Sequence, residues 1–284
     1  MSISRNSVDS MRLLATCLPA VLTFVIVFAV PMVLIFKLGI STEDGAFSLQ
    51  NFFAIAGDEY YQEIFARTFK LAALVTIVAV AIGIFEGYYL NGLYGRMRML
   101  VLMAILGPLF VSVVVRTLGW QIILGNNGPI SQFLQMIGLA KGPADLLFGE
   151  LAIFIGLLHM VLPYMILNIW TALMSYDDKT EKAARSLGAG SSTVFFKIVL
   201  PQIMPGVLSG ALTVFALSMS AFATPALLGG RTTKVVATAV YDEFLSTFNW
   251  NLGASIAIIL LALNIFTAFF LNKWVERKFK GVFA

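Results

Sequence analysis

Charged residues, cysteine and histidine are scarce in this 284-residue chain. Asp, Glu, Lys and Arg together make up 12% of it, about half the share in a soluble globular domain, whereas 59% of the residues are hydrophobic. One cysteine, Cys17, excludes an intrachain disulfide. With a single histidine and no cluster of metal-ligating residues, the sequence offers no catalytic constellation. We therefore expect a membrane protein that is not an enzyme and carries no cofactor of its own.

Long apolar runs are what the chain has instead. A bilayer-spanning helix needs about 20 such residues, and a single span must satisfy its own backbone hydrogen bonds as a helix. The sequence therefore predicts an all-α membrane protein with six spans, the third continuing past Arg116 to Leu124. The predicted spans cover residues 13–36, 71–90, 99–115, 151–173, 206–228 and 252–271.

The distribution of Lys and Arg predicts the orientation of these spans. With the N-terminus inside, twelve of the 19 basic residues fall on the cytoplasmic side, as the positive-inside rule requires. This topology gives a cytoplasmic N-terminus (residues 1–12), a six-helix membrane domain (13–272) and a cytoplasmic basic tail (273–284). Because the basic tail directly follows a span, we expect it to lie at the membrane surface and not to bind nucleic acid.

A polar insert at residues 174–204 interrupts the apolar pattern between the fourth and fifth spans. Asp178 followed by Glu181 is typical of a capping box that opens a helix. Gly188 fits the left-handed position that ends one. We expect Ser191 or Ser192 to cap a second short helix that Pro201 stops. The insert is thus predicted to form a short helical lever along the membrane surface.

The spacing within this insert resembles the cytoplasmic loop of binding-protein-dependent ABC importer permeases, which docks on the ATPase. The family has a Glu where this chain has Lys182, with Glu181 one place earlier. Residues that match the family in register are Ala183, Ala184, Gly188, Ile198, Leu200 and Pro201. The resemblance implies that ATPase coupling is carried by Glu181, Lys182, Ala183, Ala184, Arg185, Gly188, Ile198, Leu200 and Pro201.

Two further segments resemble the spermidine/putrescine-type permeases of that family: Arg116-Thr-Leu-Gly-Trp120 and residues 221–230, Ala-Phe-Ala-Thr-Pro-Ala-Leu-Leu-Gly-Gly. The resemblance implies a type I ABC importer permease fold in the bacterial inner membrane. It also implies a second, different permease subunit, two cytoplasmic ATPases that bind ATP and Mg, and an extracytoplasmic binding protein. The implied solute is a polyamine, with opines, aminophosphonates and ferric iron as alternatives. A stand-alone secondary transporter fits less well, because no internal repeat is apparent.

Polar groups within the spans are the candidates for solute contact, since such groups are costly in a bilayer. Glu86 either attracts a cationic solute near the exit or reaches the interface and pairs with a nearby Arg. Arg116 either orders the outer gate or meets the binding protein, or else anchors at the interface with Trp120. His159 either contacts solute or forms a hydrogen bond between helices.

The fifth span and the last outer loop supply the other candidates. Small residues of the fifth span either pack closely against other helices or leave room for a solute, and we expect Pro225 to break this helix near its outer end. The predicted pathway residues here are Ser218, Ser220, Phe222 and Thr224. In the outer loop, Tyr241 and Asp242 either steer a cationic solute by charge or meet the binding protein.

Overall fold

The computed structural model describes residues 16–42, 44–140, 142–176 and 179–278 of the chain. Within these ranges the regular structure is helical, apart from one isolated bridge between Ser41 and Phe47. The predicted N-terminal tail, Asp178 and residues 279–284 of the basic tail lie outside the described residues.

Twelve helices follow one another in the described part of the chain. Two contain a π-turn, over Val25–Ala29 in α1 and over Phe195–Val199 in α9, and a 3-10 turn at Gly107–Phe110 follows α4. The helices are α1 Thr16–Gly39, α2 Gln50–Gly57, α3 Glu59–Gly92, α4 Gly95–Leu106, α5 Val113–Leu124, α6 Pro129–Met136, α7 Glu150–Met174, α8 Lys179–Ser186, α9 Ser191–Met219, α10 Ala223–Leu228, α11 Val236–Leu245 and α12 Trp250–Lys278.

Five of these helices are long and apolar enough to cross a membrane, and the number is six if one bent pair is counted as a single span. The bent pair is Gly95–Phe110 with Val113–Met136, and its two halves meet at 101°. Our prediction of one continuous helix to Leu124 is therefore wrong. Pro108 cannot donate a backbone hydrogen bond, and Val111 and Ser112 take ψ values of 134° and 136°, which end the helical path.

The second and fourth spans can be compared directly with their predicted bounds. The fourth, α7, agrees with the prediction to within one residue at each end. The second begins at Glu59 rather than at residue 71, because the polar start of α3 is stabilised by ion pairs. Arg67 of this segment pairs with Glu63 on α3 and with Glu150 at the start of α7.

The fifth span differs most from its prediction. Pro201 does not stop a helix; α9 runs through it, since the preceding π-turn lets the Leu200 N–H reach the Phe195 carbonyl and relaxes the ladder around the proline. The helix instead ends at Met219. Pro225 lies in the first turn of α10, where its missing N–H costs little. Gly229-Gly230 follows the end of α10, with Gly230 at φ +62°.

The described chain divides into two compact units. One contains the described residues up to Asp58 together with Val240–Ile259. There, Asn251 Nδ2 donates to the Leu38 and Ser41 carbonyls at 2.9 and 2.7 Å, and Ser255 Oγ donates to the Gly39 carbonyl at 2.8 Å. These bonds join the end of α1 to the start of α12.

The second unit, Glu59–Ala239 with the described residues from Leu260 onward, contains the main hydrophobic core. Here α3, α7 and α9 pack against one another around fully buried residues such as Val75, Met165 and Ile203. Glycines allow the helices to approach. A Cβ at Gly83 would lie 2.8 Å from Met165 Cγ, and one at Gly206 would collide with the Ala172 side chain and the Asn168 carbonyl.

We expect Gly206→Ala to destabilise the protein, because the added methyl overpacks the contact between α9 and α7 at a cost of about 1–3 kcal/mol. Gly119→Ala is the matched control, since a Cβ there meets nothing within 4 Å and alanine favours a helix. Thermal unfolding in detergent should show a lower midpoint for Gly206→Ala and an unchanged or higher one for Gly119→Ala. Equal midpoints would contradict the close packing.

Candidate functional site

The polar insert forms helix α8 and a tight turn that ends it. The Ala189 N–H bonds to the Ala184 carbonyl and the Gly188 N–H bonds to the Arg185 carbonyl, both at 3.0 Å. These are the two bonds of a Schellman motif. Gly188 has φ +84°, which confirms the predicted left-handed conformation. The turn therefore gives α8 a defined end.

Glu181 holds α8 together from within. Its carboxylate accepts hydrogen bonds from Arg185 Nε at 3.0 Å and Nη2 at 2.8 Å, and from the Tyr176 hydroxyl at 3.2 Å. The hydrogen bonds that Arg185 donates to Glu181 raise the pKa of Arg185 above its ordinary value. Because Tyr176 packs against the hydrophobic core, Glu181 also ties the helix to the end of α7.

The two faces of α8 are chemically different. Ala184, with Ala189 of the turn, packs against this chain's own core. Lys182 and Ala183 are exposed. Leu187 is 89% exposed, although it is a large apolar side chain. Sequence reasoning missed Leu187 because it concentrated on the small residues of the motif; its apolar character next to the turn glycine was the available signal.

The second half of the motif lies at the beginning of α9. Ile198 is half-buried and Leu200 packs against the core, between the fully buried Val199 and Ile203. Pro201 is half-buried in the same helix. These three residues therefore lie on a segment anchored to the core, which fixes where the turn after α8 rejoins the membrane helices.

The predicted serine cap of this segment is wrong. The residue before α9 is Gly190, and no side chain caps the helix. Ser191 instead accepts a 3.4 Å hydrogen bond on its Oγ from Arg185 Nη1. An extended glycine with ψ 152° can begin a helix without such a cap.

Trp120 and His159 are brought together at the second candidate region. Trp120 Nε1 donates to His159 Nδ1 at 3.0 Å, and the two rings meet edge to face with centroids 5.6 Å apart. The bond joins α5 to α7, so the interhelical alternative describes His159. With Nδ1 accepting, the imidazole is neutral and carries its proton on Nε2.

Thr117 and Gln121, on the same helix as Trp120, were not identified from the sequence. The Oγ1 atoms of Thr117 and Thr224 lie 3.3 Å apart and are buried, and Gln121 Nε2 donates to the Leu227 carbonyl at 2.9 Å. Both contacts join α5 to α10. Thr117 and Gln121 are four residues apart, about one helical turn, and this spacing of two polar residues was the available signal.

Arg116 lies on α5 beside a cavity of about 420 Å³ at the break in the third span. Its Nη1 atom is buried and has no hydrogen-bond acceptor among the described residues. The cavity is lined by Leu109, Phe110, Val111, Ser112, Val113, Arg116, Met160, Tyr164 and Leu217.

The fifth-span candidates take different environments. Ser218 is buried, and its Oγ has no partner in the described part of the chain. Ser220 Oγ donates to the Ala216 carbonyl at 2.8 Å. Phe222, which directly precedes α10, is 39% exposed. The break after Met219 thus separates a buried hydroxyl from two exposed side chains.

The remaining candidates are one residue of α3 and two residues of α11. Glu86 is exposed near the end of α3. Its neighbour Gly87 packs against Ile169, which is about 15 Å along α7 from His159 at 1.5 Å per residue. Tyr241 is exposed and Asp242 half-buried on α11, in the unit that begins again at Val240.

Comparison with known proteins assigns this architecture. Residues 5–281 match the family described as binding-protein-dependent transport system inner membrane component. The chain belongs to this family. It is 30% identical to the spermidine/putrescine transport system permease protein PotB of Haemophilus influenzae, over 88% of this chain and 90% of that protein. It is 28% identical to PotB of Escherichia coli K12, over 75% and 78% respectively.

The fold is shared with a solved transporter. A bacterial alginate ABC transporter in complex with an alginate pentasaccharide-bound periplasmic protein matches with a TM-score of 0.85 at 18% identity, covering 99% of each chain. The chain is thus a permease subunit of an ABC importer, with the type I fold and several spans in the inner membrane. In the described residues, no group of three or more His, Cys, Asp or Glu could hold a metal ion.

We expect the bond between Trp120 and His159 to stabilise the contact of α5 with α7. Trp120→Phe or His159→Phe removes one partner, and the second change leaves a half-buried N–H without its acceptor, at about 1–3 kcal/mol. A double-mutant cycle on thermal stability in detergent should give a coupling energy of about 1 kcal/mol. Additive effects would show that the two side chains do not interact.

Proposed function

We propose that this chain forms one half of the translocation pore of an ATP-driven polyamine importer. The other half is a second, different permease. Two cytoplasmic ATPases bind ATP and Mg and drive the pore, and an extracytoplasmic binding protein delivers the solute. The observation that supports this proposal is α8, a polar helix between two spans. Hydrogen bonds between Glu181 and Arg185 stabilise it, and the exposed Leu187 directly follows it.

The structure of α8 suits a mechanical connection to an ATPase. Leu187 and Ala183 face away from the core and are available to a groove on the ATPase surface. On the other face, Ala184 and the Tyr176–Glu181 bond hold the helix to its own membrane domain. A displacement of α8 by the closing ATPase is therefore passed to α7 and α9, as rigid-body transmission requires.

The polyamine assignment is supported by the names of the two relatives and by the aromatic and hydroxyl groups near the breaks in the third and fifth spans. Trp120, Ser218, Ser220, Phe222 and Thr224 are the proposed pathway residues, with Tyr241 and Asp242 at the entrance and Glu86 near the exit. Opines, aminophosphonates and ferric iron remain the alternative solutes, to be separated by competition for uptake.

We place both termini in the cytoplasm, because twelve of the 19 basic residues then lie inside. This topology also places α8 in the cytoplasm, where the ATPase is. A reporter that is active only outside the cytoplasm, fused after Ala284, should be silent.

Leu187 provides the test of the function. The wild-type chain, expressed with its transport system, should co-purify with an ATPase. It should also support ATP-dependent uptake of radiolabelled spermidine into proteoliposomes when the binding protein is added outside. Leu187→Asp should reduce both co-purification and uptake at least tenfold, because it places a charge in an apolar contact. Leu187→Met is the matched control and should retain both. Uptake without ATP or without the binding protein would instead indicate a secondary transporter.

Gly188 provides a second, conformational test. Gly188→Val should lower uptake about tenfold, since a left-handed non-glycine residue costs about 1–2 kcal/mol and β-branching adds to it. A Cβ at this position meets nothing within 4 Å, so the effect is one of backbone strain. Gly188→Asn, which tolerates the left-handed conformation, should retain most uptake. An equal loss of uptake in both variants would show that this position tolerates no side chain, and that the left-handed backbone conformation is not what matters.

A further inference from the structure

Arg116 is a cation for which the described part of the chain supplies no ion pair. It belongs to the first turn of α5, just after the break in the third span, and its backbone N–H bonds to the Ser112 carbonyl at 3.0 Å. Its guanidinium Nη1 is buried and meets no acceptor in the residues that the structure describes. A guanidinium does not deprotonate in proteins, so this charge persists.

The surroundings of Arg116 supply no carboxylate. Among the nine side chains that line its cavity, Ser112 and Tyr164 are the polar neutral ones and Arg116 alone is charged. The N-terminal end of α5 adds a partial positive charge at the same place. Arg116 as a whole is half-buried, but its buried Nη1 lacks, among the described residues, the acceptor that a charged group needs to offset its desolvation. The cavity therefore has the electrostatics of an anion site that the described part of this chain leaves incomplete.

The depth of the cavity separates it from the lipid headgroups. Met160 and Tyr164 line it from α7, and they lie ten and fourteen residues after Glu150, where that helix begins. At 1.5 Å per residue this is about 15–21 Å along the helix, near the middle of a hydrocarbon core about 30 Å thick. A lipid phosphate is not the ordinary neighbour of a side chain at that depth.

The outer side of the cavity faces away from the rest of the described chain. Phe110 is 88% exposed, and Val111 and Val115 are 44% and 60% exposed. Charged side chains in membrane proteins face the interior of a helix assembly and not lipid. The side of α5 that carries Arg116 is therefore expected to face an assembly interface or the pore, and not lipid.

We propose that a carboxylate of the second permease subunit enters this cavity and pairs with Arg116. This inference rests on the proposed function. A polyamine offers only ammonium groups, which Arg116 repels, so the acceptor must come from the protein assembly. A bidentate guanidinium–carboxylate pair at mid-membrane would fix how the two permeases meet beside the pore, and it explains why a broken span is tolerated at this point.

The experiment uses the intact importer, purified with both permeases and its ATPases. Arg116→Glu should reduce spermidine uptake and recovery of the second permease at least tenfold, because it opposes two carboxylates. Arg116→Lys, which keeps the charge, should lose less of both. Arg231→Glu, a charge reversal at an exposed outer residue, is the matched control and should behave as wild type.

The partner carboxylate is found by selecting suppressors of Arg116→Glu after random mutagenesis of both permease genes. We expect Asp or Glu replaced by Lys or Arg in the second permease, with assembly and uptake both restored. Suppressors confined to the binding protein, or a change of Glu86 in this chain, would overturn the inference. So would normal assembly and uptake by Arg116→Glu. Wild-type uptake is measured in parallel; its absence refutes the polyamine function, whereas a normal wild type with the wrong suppressors refutes only the Arg116 pair.

Discussion

Inside a bilayer there is no water to complete a hydrogen bond, and the arrangement of this protein follows from that constraint. Several departures from a regular helix are accompanied by polar contacts nearby. The break at Val111–Ser112 is followed by a helix whose side chains reach α7 through Trp120 and α10 through Thr117 and Gln121. Where α9 passes through Pro201, a π-turn supplies the altered ladder. At the start of α3, Arg67 donates to Glu150 and to the Lys234 carbonyl, 3.0 Å away.

The short polar helix α8 lies outside the apolar spans and keeps its shape through contacts of its own. A polar helix of eight residues is too short to be stable alone, so its shape depends on fixed bonds at both ends. At the C-terminal end of α8, the Schellman turn supplies hydrogen-bond donors to the Ala184 and Arg185 carbonyls. Within the helix, Glu181 accepts hydrogen bonds from Arg185 and Tyr176. The interactions that hold α8 to this chain use one face. The exposed Leu187 lies outside these interactions, so in the proposed assembly the ATPase can contact it without disturbing the helix.

Sequence reasoning identified the spans and the motif, but it missed the bend in the third span and misplaced the end of the helix in the fifth. Hydropathy measures how apolar a segment is, and the residues on either side of Ser112 are equally apolar, so the 101° bend leaves no trace in it. The positions of the prolines predicted the helix ends poorly, because some prolines lie within helices and some helix ends lie away from prolines. Pro201 and Pro225 lie within helices because a π-turn and a first-turn position tolerate them, whereas the third span bends after Pro108 and α9 ends ahead of Pro225. The ion pair between Arg67 near the start of α3 and Glu150 joins residues 83 positions apart, which no local pattern reports.

Composition and local pattern by themselves determined that this is a multi-span helical membrane protein, and the Ala183-to-Pro201 spacing placed it among importer permeases. They also determined the left-handed turn at Gly188, because glycine conformation is a local property. Only the tertiary structure decided which polar residues meet: Trp120 with His159, Thr117 with Thr224, and Arg116 with none of the described residues. The physical reason is that a side chain in the membrane can bond only to groups that helix packing brings within about 3–4 Å of it. That packing depends on the whole chain and its assembly, so a local sequence pattern does not specify the pairs.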